Sequence, residues 1–537
     1  MPVNAPSPSG CGSRPSKVEF PTEAYPLGSR WEADEIGYLL GYDIGSSAIK
    51  AALVDPETGR LVASAQSPLE RELEIFAPQA GWAEQDPEIW WENAVGATRA
   101  LRRGDSVNLE DVEAVGISYQ MHGLVIVDKN QSVLRPSIIW CDSRAVGIGE
   151  KATNRMGRAN CLERMLNLPG NFTASKLGWV RENEPEVYVR IFKAMLPGDY
   201  LAMRLTGDAR TTVSGLSEGV MWDSREERLA GEVLDCLGIS RDIIPDLVPT
   251  FGFQGSITGE ASRELGLRKG IPVSYRAGDQ PNNALALNVL EPGEIAATAG
   301  TSGVVYGVTD RPVWDPDSRV NTFVHVNHSP QRPRYGVLLC INGTGILNSW
   351  LRNKGFIAGD SAIGYDDMNA LAASAPVGSG GLAFLPYGNG SERTLGNRDI
   401  GASLHGLNFN VHDRSHVFRS AQEGIVFALN HGVEIMRGMG LDVDRVRAGY
   451  ANMFLSPVFC EAFANTVGAV VELYNTDGAQ GAARGAGIGS GVFRDQSEAF
   501  RGLERIGVIE PTAALMDLYG DAWSRWVEVL QNCLSER

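Results

Sequence analysis

"GYDIGSSAIKAALV" (Gly41–Val54) sets an apolar run carrying one carboxylate, Asp43, against a tight Gly45-Ser46-Ser47 turn and then a second apolar run. Aliphatic and β-branched residues on both sides of a glycine and hydroxyl turn read as strand, turn, strand. Working outward, "DPETGR" (Asp55–Arg60) supplies a second turn and "LVASAQ" (Leu61–Gln66) a third strand. "DPEIWWENAVGATRALRR" (Asp86–Arg103) then carries apolar residues at helical spacing after an Asp-Pro start, which predicts a helix.

The same unit recurs later in the chain. "GEIAATAGTSGVVYGVTDRPVWD" (Gly293–Asp315) is again an apolar run, a Gly300-Thr301-Ser302 turn and a second apolar run. One β-turn-β unit per half predicts a duplicated α/β architecture with a cleft between the halves. Between the units, "VEAVGISYQMHGLVIVDKNQSVLRPSIIW" (Val112–Trp140) has β character and residues 170–207 alternate helical and irregular segments. After the second unit, "RSHVFRSAQEGIVFALNHGVEIMRGMG" (Arg414–Gly440) predicts a long helix and "DGAQGAARGAGIGSGVF" (Asp477–Phe493) a helix of small residues. The expected division is a Pro/Ser/Gly-rich flexible extension over 1–35, a first domain over 36–287, a second over 288–493 and a helical appendix over 494–537.

Composition limits the partners. The chain has 537 residues, 43% of them hydrophobic and 21% charged, enough to bury more than one core. Its net charge of −17 disfavours nucleic acid and anionic membranes, which need clustered Lys and Arg. The seven cysteines stand singly, with no C-x-x-C pair and no metal-ligand spacing, which suits a reducing cytoplasm. No apolar run spans a bilayer. A small-molecule substrate is the expectation, and a homodimer is left open as an assembly.

A glycine followed by hydroxyl residues between two strands offers backbone N–H groups and hydroxyls with no Cβ in the way, which suits a phosphate oxygen. One such turn is more often an ordinary hairpin; two in matching positions favour a nucleotide held between domains. A P-loop is absent, as is any Gly-Lys dipeptide. "RAGDQPNN" (Arg276–Asn283) places Asp279 between a glycine and a run of amides, a pattern that alone reads equally well as a turn.

These residues also carry a resemblance. Apart from 1–35, nearly the whole chain resembles the FGGY family of carbohydrate kinases, of actin-like and sugar-kinase (ribonuclease H-like) fold, and within it the xylulokinases. "GYDIGSSAIKAAL" and "ATAGTSGVV" look like the family's two phosphate motifs. "GWAEQDPEIWW", "QMHGLVIVD", "VLRPSIIWCDSR", "FTASKLGWV", "LPGDYLAMRLTG", "GLAFLPYGNGSERT" and "AQEGI" are similar to further segments in the same order. The resemblance implies ATP and Mg²⁺ as cofactors and transfer of a phosphoryl group to a ketopentose, O5 of D-xylulose first.

Residue by residue, the resemblance assigns Gly45, Ser46, Ser47, Gly300, Thr301 and Ser302 to phosphate, with Lys50 near it. Asp43 would help hold Mg-ATP, Met121 and His122 of "QMHG" would meet the sugar, and Asp279 would be the general base. Gln280, where the family has Asn, would orient sugar hydroxyls, and Trp82 would wall the pocket or simply fill a core. Gly449 and Tyr450 would lie at the adenine, with Tyr450 in place of a family glycine. Two alternatives stay open: a relative acting on another ketose or polyol, such as ribulose or glycerol, and a non-catalytic nucleotide-binding regulator of actin-like fold.

Overall fold

The computed structural model describes residues 37–102, 107–355 and 363–536; the expected extension over 1–35 lies outside them. In the first half, β1 (Tyr38–Ile44), β2 (Ile49–Val54) and β3 (Leu61–Ser67) form an antiparallel meander, and β4 (Val112–Tyr119) and β5 (Val273–Gly278) add in parallel on the other side of β1. The sheet order is β5-β4-β1-β2-β3. The predicted helix after the meander is α1 (Pro87–Ala100), capped by Asp86, whose carboxylate accepts from Glu88 N. Two helices from the middle segments follow: α2 (Thr173–Asn183) and α3 (Pro197–Thr206).

The second half repeats this order strand for strand. Here β6 (Ile295–Ala299), β7 (Gly303–Thr309) and β9 (Tyr335–Ile341) form the meander, and β10 (Arg445–Gly449) and β11 (Val470–Tyr474) add in parallel beside β6. Two further strands, β8 (Asn321–Val324) beside β9 and β12 (Arg505–Ile509) beside β11, extend it to seven, in the order β8-β9-β7-β6-β10-β11-β12. The expected duplication is therefore a property of the sheets, in strand order and direction. Helices α4 (Val213–Glu218) and α5 (Asp279–Ala286) belong to the first half; the long predicted helix is α6 (Arg414–Gly438), and α7 (Pro457–Val467) follows it.

The tail differs from the expected helical appendix. Arg505–Ile509 pairs as a strand, and the helix α9 (Ala513–Ser535) turns Tyr519, Ala522, Trp526 and Leu530 into the second-half core. Their spacing of three and four residues makes one apolar stripe, so the segment is an integral layer. The small-residue helix α8 (Gly478–Ser490) also goes where its position in the chain did not indicate, onto the first-half sheet. A Cβ at Gly41 of β1 would stand 2.0 Å from Ala479 O, and one at Gly116 of β4 2.0 Å from Ala482 O. Glycine on the strands and alanine and glycine on the helix are what this backbone approach requires.

Candidate active site

The β1–β2 turn lies beside the start of α8. Asp43 on β1 stands directly opposite Lys50 on β2, and Ser118 Oγ on β4 donates to Asp43 Oδ1 at 2.8 Å. A Cβ at position 478 would lie 2.5 Å from Asp43 Oδ2, so the carboxylate rests against glycine backbone at the first turn of α8. Burial, seconded by the charge of Asp477, raises the Asp43 carboxyl above its ordinary range, against the pull of Ser118 and Lys50. Lys50 is exposed, and with Asp477 it lines a cavity of about 350 Å³.

Hydrogen bonds from behind hold the turn. Gly45 N donates to Ala48 O at 3.0 Å, Leu73 N to Ser47 O at 2.8 Å, and Gln85 Nε2 to Ser46 O at 2.7 Å. Gln85 Oε1 in turn accepts from Gln120 Nε2 at 3.1 Å, so the turn is tied to the segment that leads into Met121 and His122. Single amides far apart in sequence gave no sign of this chain of contacts; only the sheet brings them together.

His122 stands at φ 63°, a left-handed backbone uncommon outside glycine. Three contacts hold it there. Its N–H donates to Glu218 Oε1 at 3.3 Å, its ring Nδ1 meets Glu218 O at 3.0 Å, and its carbonyl accepts from Lys176 Nζ at 2.9 Å. Lys176, on α2, is fully buried and donates also to Ile139 O at 2.9 Å. Burial, together with the Lys176 charge, lowers the His122 ring to about 3, so the imidazole is neutral. Because Nδ1 faces a carbonyl it carries the proton, which leaves Nε2 as an acceptor. The ring sits edge-on to Phe172 at 4.8 Å and against Phe323 of the second half at 5.4 Å.

Met121 is buried beneath the strand that ends in Gly278; a Cβ at 278 would lie 2.6 Å from its Cγ and 2.3 Å from Glu218 Oε2. Glu218 ends α4, and burial holds its carboxyl well above its ordinary range. The sequence singled out neither Glu218 nor Lys176. Trp82 is half-buried, with Arg144 stacked over it at 3.8 Å and Trp179 edge-on at 5.2 Å, a packing arrangement of aromatic and cation.

Asp279 opens α5 straight out of β5, with Gly278 as the cap. The strand end is anchored by Arg276, buried in a 3.0 Å ion pair with Asp199. Burial first, and the Asp43 charge second, push the Asp279 carboxyl up to about 7, against hydrogen bonds from Gln280. A helix start ordinarily favours the ionised form; here desolvation and a neighbouring carboxylate outweigh it. Gln280 Oε1 accepts from Thr298 Oγ1 on β6 at 3.4 Å, so this side chain links the aspartate to the strand that leads into the second turn. Asn282 Nδ2 donates to Gly478 O at 2.8 Å, fixing α5 to the start of α8.

The second turn is braced in its own way. Gly345 N donates to Gly300 O at 2.9 Å and Ile346 N to Thr301 O at 3.2 Å, while the Thr301 side remains exposed. Gly449 ends β10, whose Ala448 pairs with Ala297 of β6, and Tyr450 follows it, 51% exposed. Asn452 Nδ2 approaches within 3.7 Å of where a Gly300 Cβ would stand, so this loop borders the turn. Asp43, the two hydroxyl turns, His122, Asp279 and Gln280 thus lie on strand ends, loops and the first turn of α5 around the junction of the two halves. Among the described residues no group of three His, Cys, Asp or Glu forms a metal cage, and no helix is long and apolar enough to cross a membrane.

Two actin-like halves with matched strand ends facing a cleft define a two-domain phosphotransferase of the sugar-kinase class. Residues 38–286 match the FGGY family of carbohydrate kinases, N-terminal domain, and residues 295–489 the C-terminal domain of the same family. The chain belongs to the FGGY family of carbohydrate kinases and is a phosphotransferase acting on a sugar hydroxyl. It is 30% identical over 472 residues to the xylulose kinase of Bacillus subtilis, covering 86% of this chain and 90% of that one. It is also 30% identical over 512 residues to the L-xylulose/3-keto-L-gulonate kinase of Escherichia coli, covering 92% and 96%. The crystal structure of a xyloylose kinase from Brucella ovis superposes with a TM-score of 0.81 at 27% identity, covering 93% of this chain and all of that one.

Proposed function

We propose that this protein transfers the γ-phosphoryl group of ATP to O5 of D-xylulose, giving D-xylulose 5-phosphate and ADP. The observation that carries the reading is Asp279: a half-buried carboxyl at the junction of the halves, raised to about 7 and flanked by Asp43 and Gln280. In the reaction the O5–phosphorus bond forms, the bond from the γ-phosphorus to the bridging oxygen breaks, and the hydroxyl proton passes to Asp279. Transfer of this kind runs through a loose transition state, so positioning and charge stabilisation matter more than a strong base.

Gly45, Ser46 and Ser47 on one side, and Gly300, Thr301 and Ser302 on the other, cradle the nucleotide phosphates, with Lys50 beside them. Gly449 and Tyr450 border the adenine, where the exposed tyrosine ring offers a stacking face. Neutral His122 accepts a sugar hydroxyl through Nε2, and Met121 supports the site from beneath Gly278. Gln280 keeps Asp279 oriented while its far end holds Thr298.

Mg²⁺ suits these residues. Mutual repulsion of Asp43 and its acidic neighbours Asp477 and Asp279 is relieved by a divalent cation, and hard carboxylate oxygens are its preferred ligands. Asp43 would hold it, with phosphate oxygens completing the set, as expected for an ion that seldom uses an all-protein cage. When bound it neutralises phosphate charge.

ATP consumption against a panel of ketoses, polyols and aldonates, with and without Mg²⁺, tests the reading. Strong Mg²⁺-dependent stimulation by D-xylulose supports it, and stimulation by another acceptor alone, or by none, overturns it. If His122 reads the sugar, its brace matters too. Lys176→Met is expected to raise the KM for the sugar about tenfold or more, since it removes a charged donor from the His122 carbonyl. The KM for ATP should move by less than about threefold, which steady-state kinetics at fixed saturation of the other substrate will check.

A further inference from the structure

Arg393 is a half-buried cation with no acidic partner among the described residues. Among the described residues its side chain enters no ion pair and donates no hydrogen bond; the guanidinium lies over the Phe172 ring, 5.5 Å from the centroid. Glu392, next to it in the chain, is fully buried and turned the other way, with Oε1 accepting from Asn342 N at 2.8 Å. A guanidinium taken out of water without a counter-charge is costly, and natural sites offset that cost by pairing it. The charge that would pair it is therefore sought in a ligand.

The location says which part of a ligand. Phe172, the ring under the guanidinium, also carries the edge of His122, and the Arg393 charge acts on both His122 and Cys340. On the other side, the turn bearing Arg393 is fastened by Glu392 to the 342–345 loop, whose Gly345 N holds Gly300 O at 2.9 Å. Arg393 thus belongs to the second half, is tied to its phosphate turn, and reaches the first half beside the sugar-facing histidine. We propose that Arg393 binds the phosphoryl group on the acceptor side, holding its oxygens as it arrives and in the sugar 5-phosphate product. The planar fork of a guanidinium matches two phosphate oxygens at once, which a lysine cannot do.

This inference rests on the reading of the cleft as a sugar-phosphorylating site, and equilibrium binding separates the two. D-xylulose and D-xylulose 5-phosphate are titrated calorimetrically into the wild type, Arg393→Gln and Arg393→Lys, with folding of each checked by circular dichroism. Arg393→Gln should weaken the sugar phosphate at least tenfold and the free ketose less than threefold, with Arg393→Lys between wild type and Gln. If Arg393→Gln does not fold, the same differential in Arg393→Lys decides. Equal loss for both ligands, or no loss, overturns the proposal. If D-gluconate binds the wild type more tightly than D-xylulose and loses that advantage in Arg393→Gln, the guanidinium reads an acceptor carboxylate instead, which also overturns it. Failure of the functional reading shows elsewhere: no ketose-dependent ATP consumption by the wild type, whatever Arg393 binds.

Discussion

Asp279→Asn is expected to lower sugar-dependent turnover by about 10²–10⁴-fold, the usual contribution of a positioned general base. The substitution keeps shape and removes only the ability to take a proton, so ATP affinity should change by less than about threefold, as read by nucleotide titration. Retained turnover would end the assignment of Asp279 as base. Stability should move the opposite way. Asp279 has its folded carboxyl raised, so the native state holds its proton more tightly than the unfolded chain does. What that contributes is fully present below about pH 4 and is lost as pH rises through about 7. The asparagine variant carries no such loss. Its melting temperature should match the wild type near pH 4 and exceed it at pH 8, a gain in stability where activity is lost.

The parts of this enzyme legible in sequence are those whose signal is local. Apolar runs around Gly45-Ser46-Ser47 and Gly300-Thr301-Ser302 marked the two hairpins, because strand pairing across a short turn needs nothing from the rest of the chain. The long helix from Arg414 was likewise visible in its own periodicity. Contacts made across the fold were not. Glu218 and Lys176 converge on His122 from α4 and α2, 96 and 54 residues away, and neither sits in a pattern that sets it apart from a surface charge. Arg393 is of the same kind, since what distinguishes it is that no carboxylate among the described residues pairs with it, visible only after folding. The helix at Gly478 was legible as small, yet which sheet required that smallness depended on topology. Gln280 shows the limit from the other direction: its identity was noted, but its engagement with Thr298 gives it a tether within the protein.

The rate should fall on the acid side of neutrality. A base works only when ionised, and Asp279 has its carboxyl raised to about 7 by burial and by the charge of Asp43. Sugar-dependent kcat/KM should therefore drop about tenfold per pH unit below 7, reaching roughly 100-fold at pH 5. His122 and Lys176 do not give this limb. His122 is held near 3 and stays neutral throughout, and Lys176, lowered to about 7 by burial, loses its charge as pH rises, so any effect it has lies on the alkaline side. Three other carboxyls near the site are also raised by burial, Glu392 to about 8 and Glu218 and Asp43 above their ordinary range, and they are set apart by what controls them. Asp43 acts on Asp279 and is not among the groups that shift Glu392 or Glu218. In Asp43→Asn the repulsion that raises Asp279 is gone, and the acid limb of the residual activity should move to lower pH. A limb that stays at the same pH in that variant would assign the titration to Glu392 or Glu218, and a limb that vanishes would assign it to Asp43 itself; either result leaves Asp279 ionised across the working range.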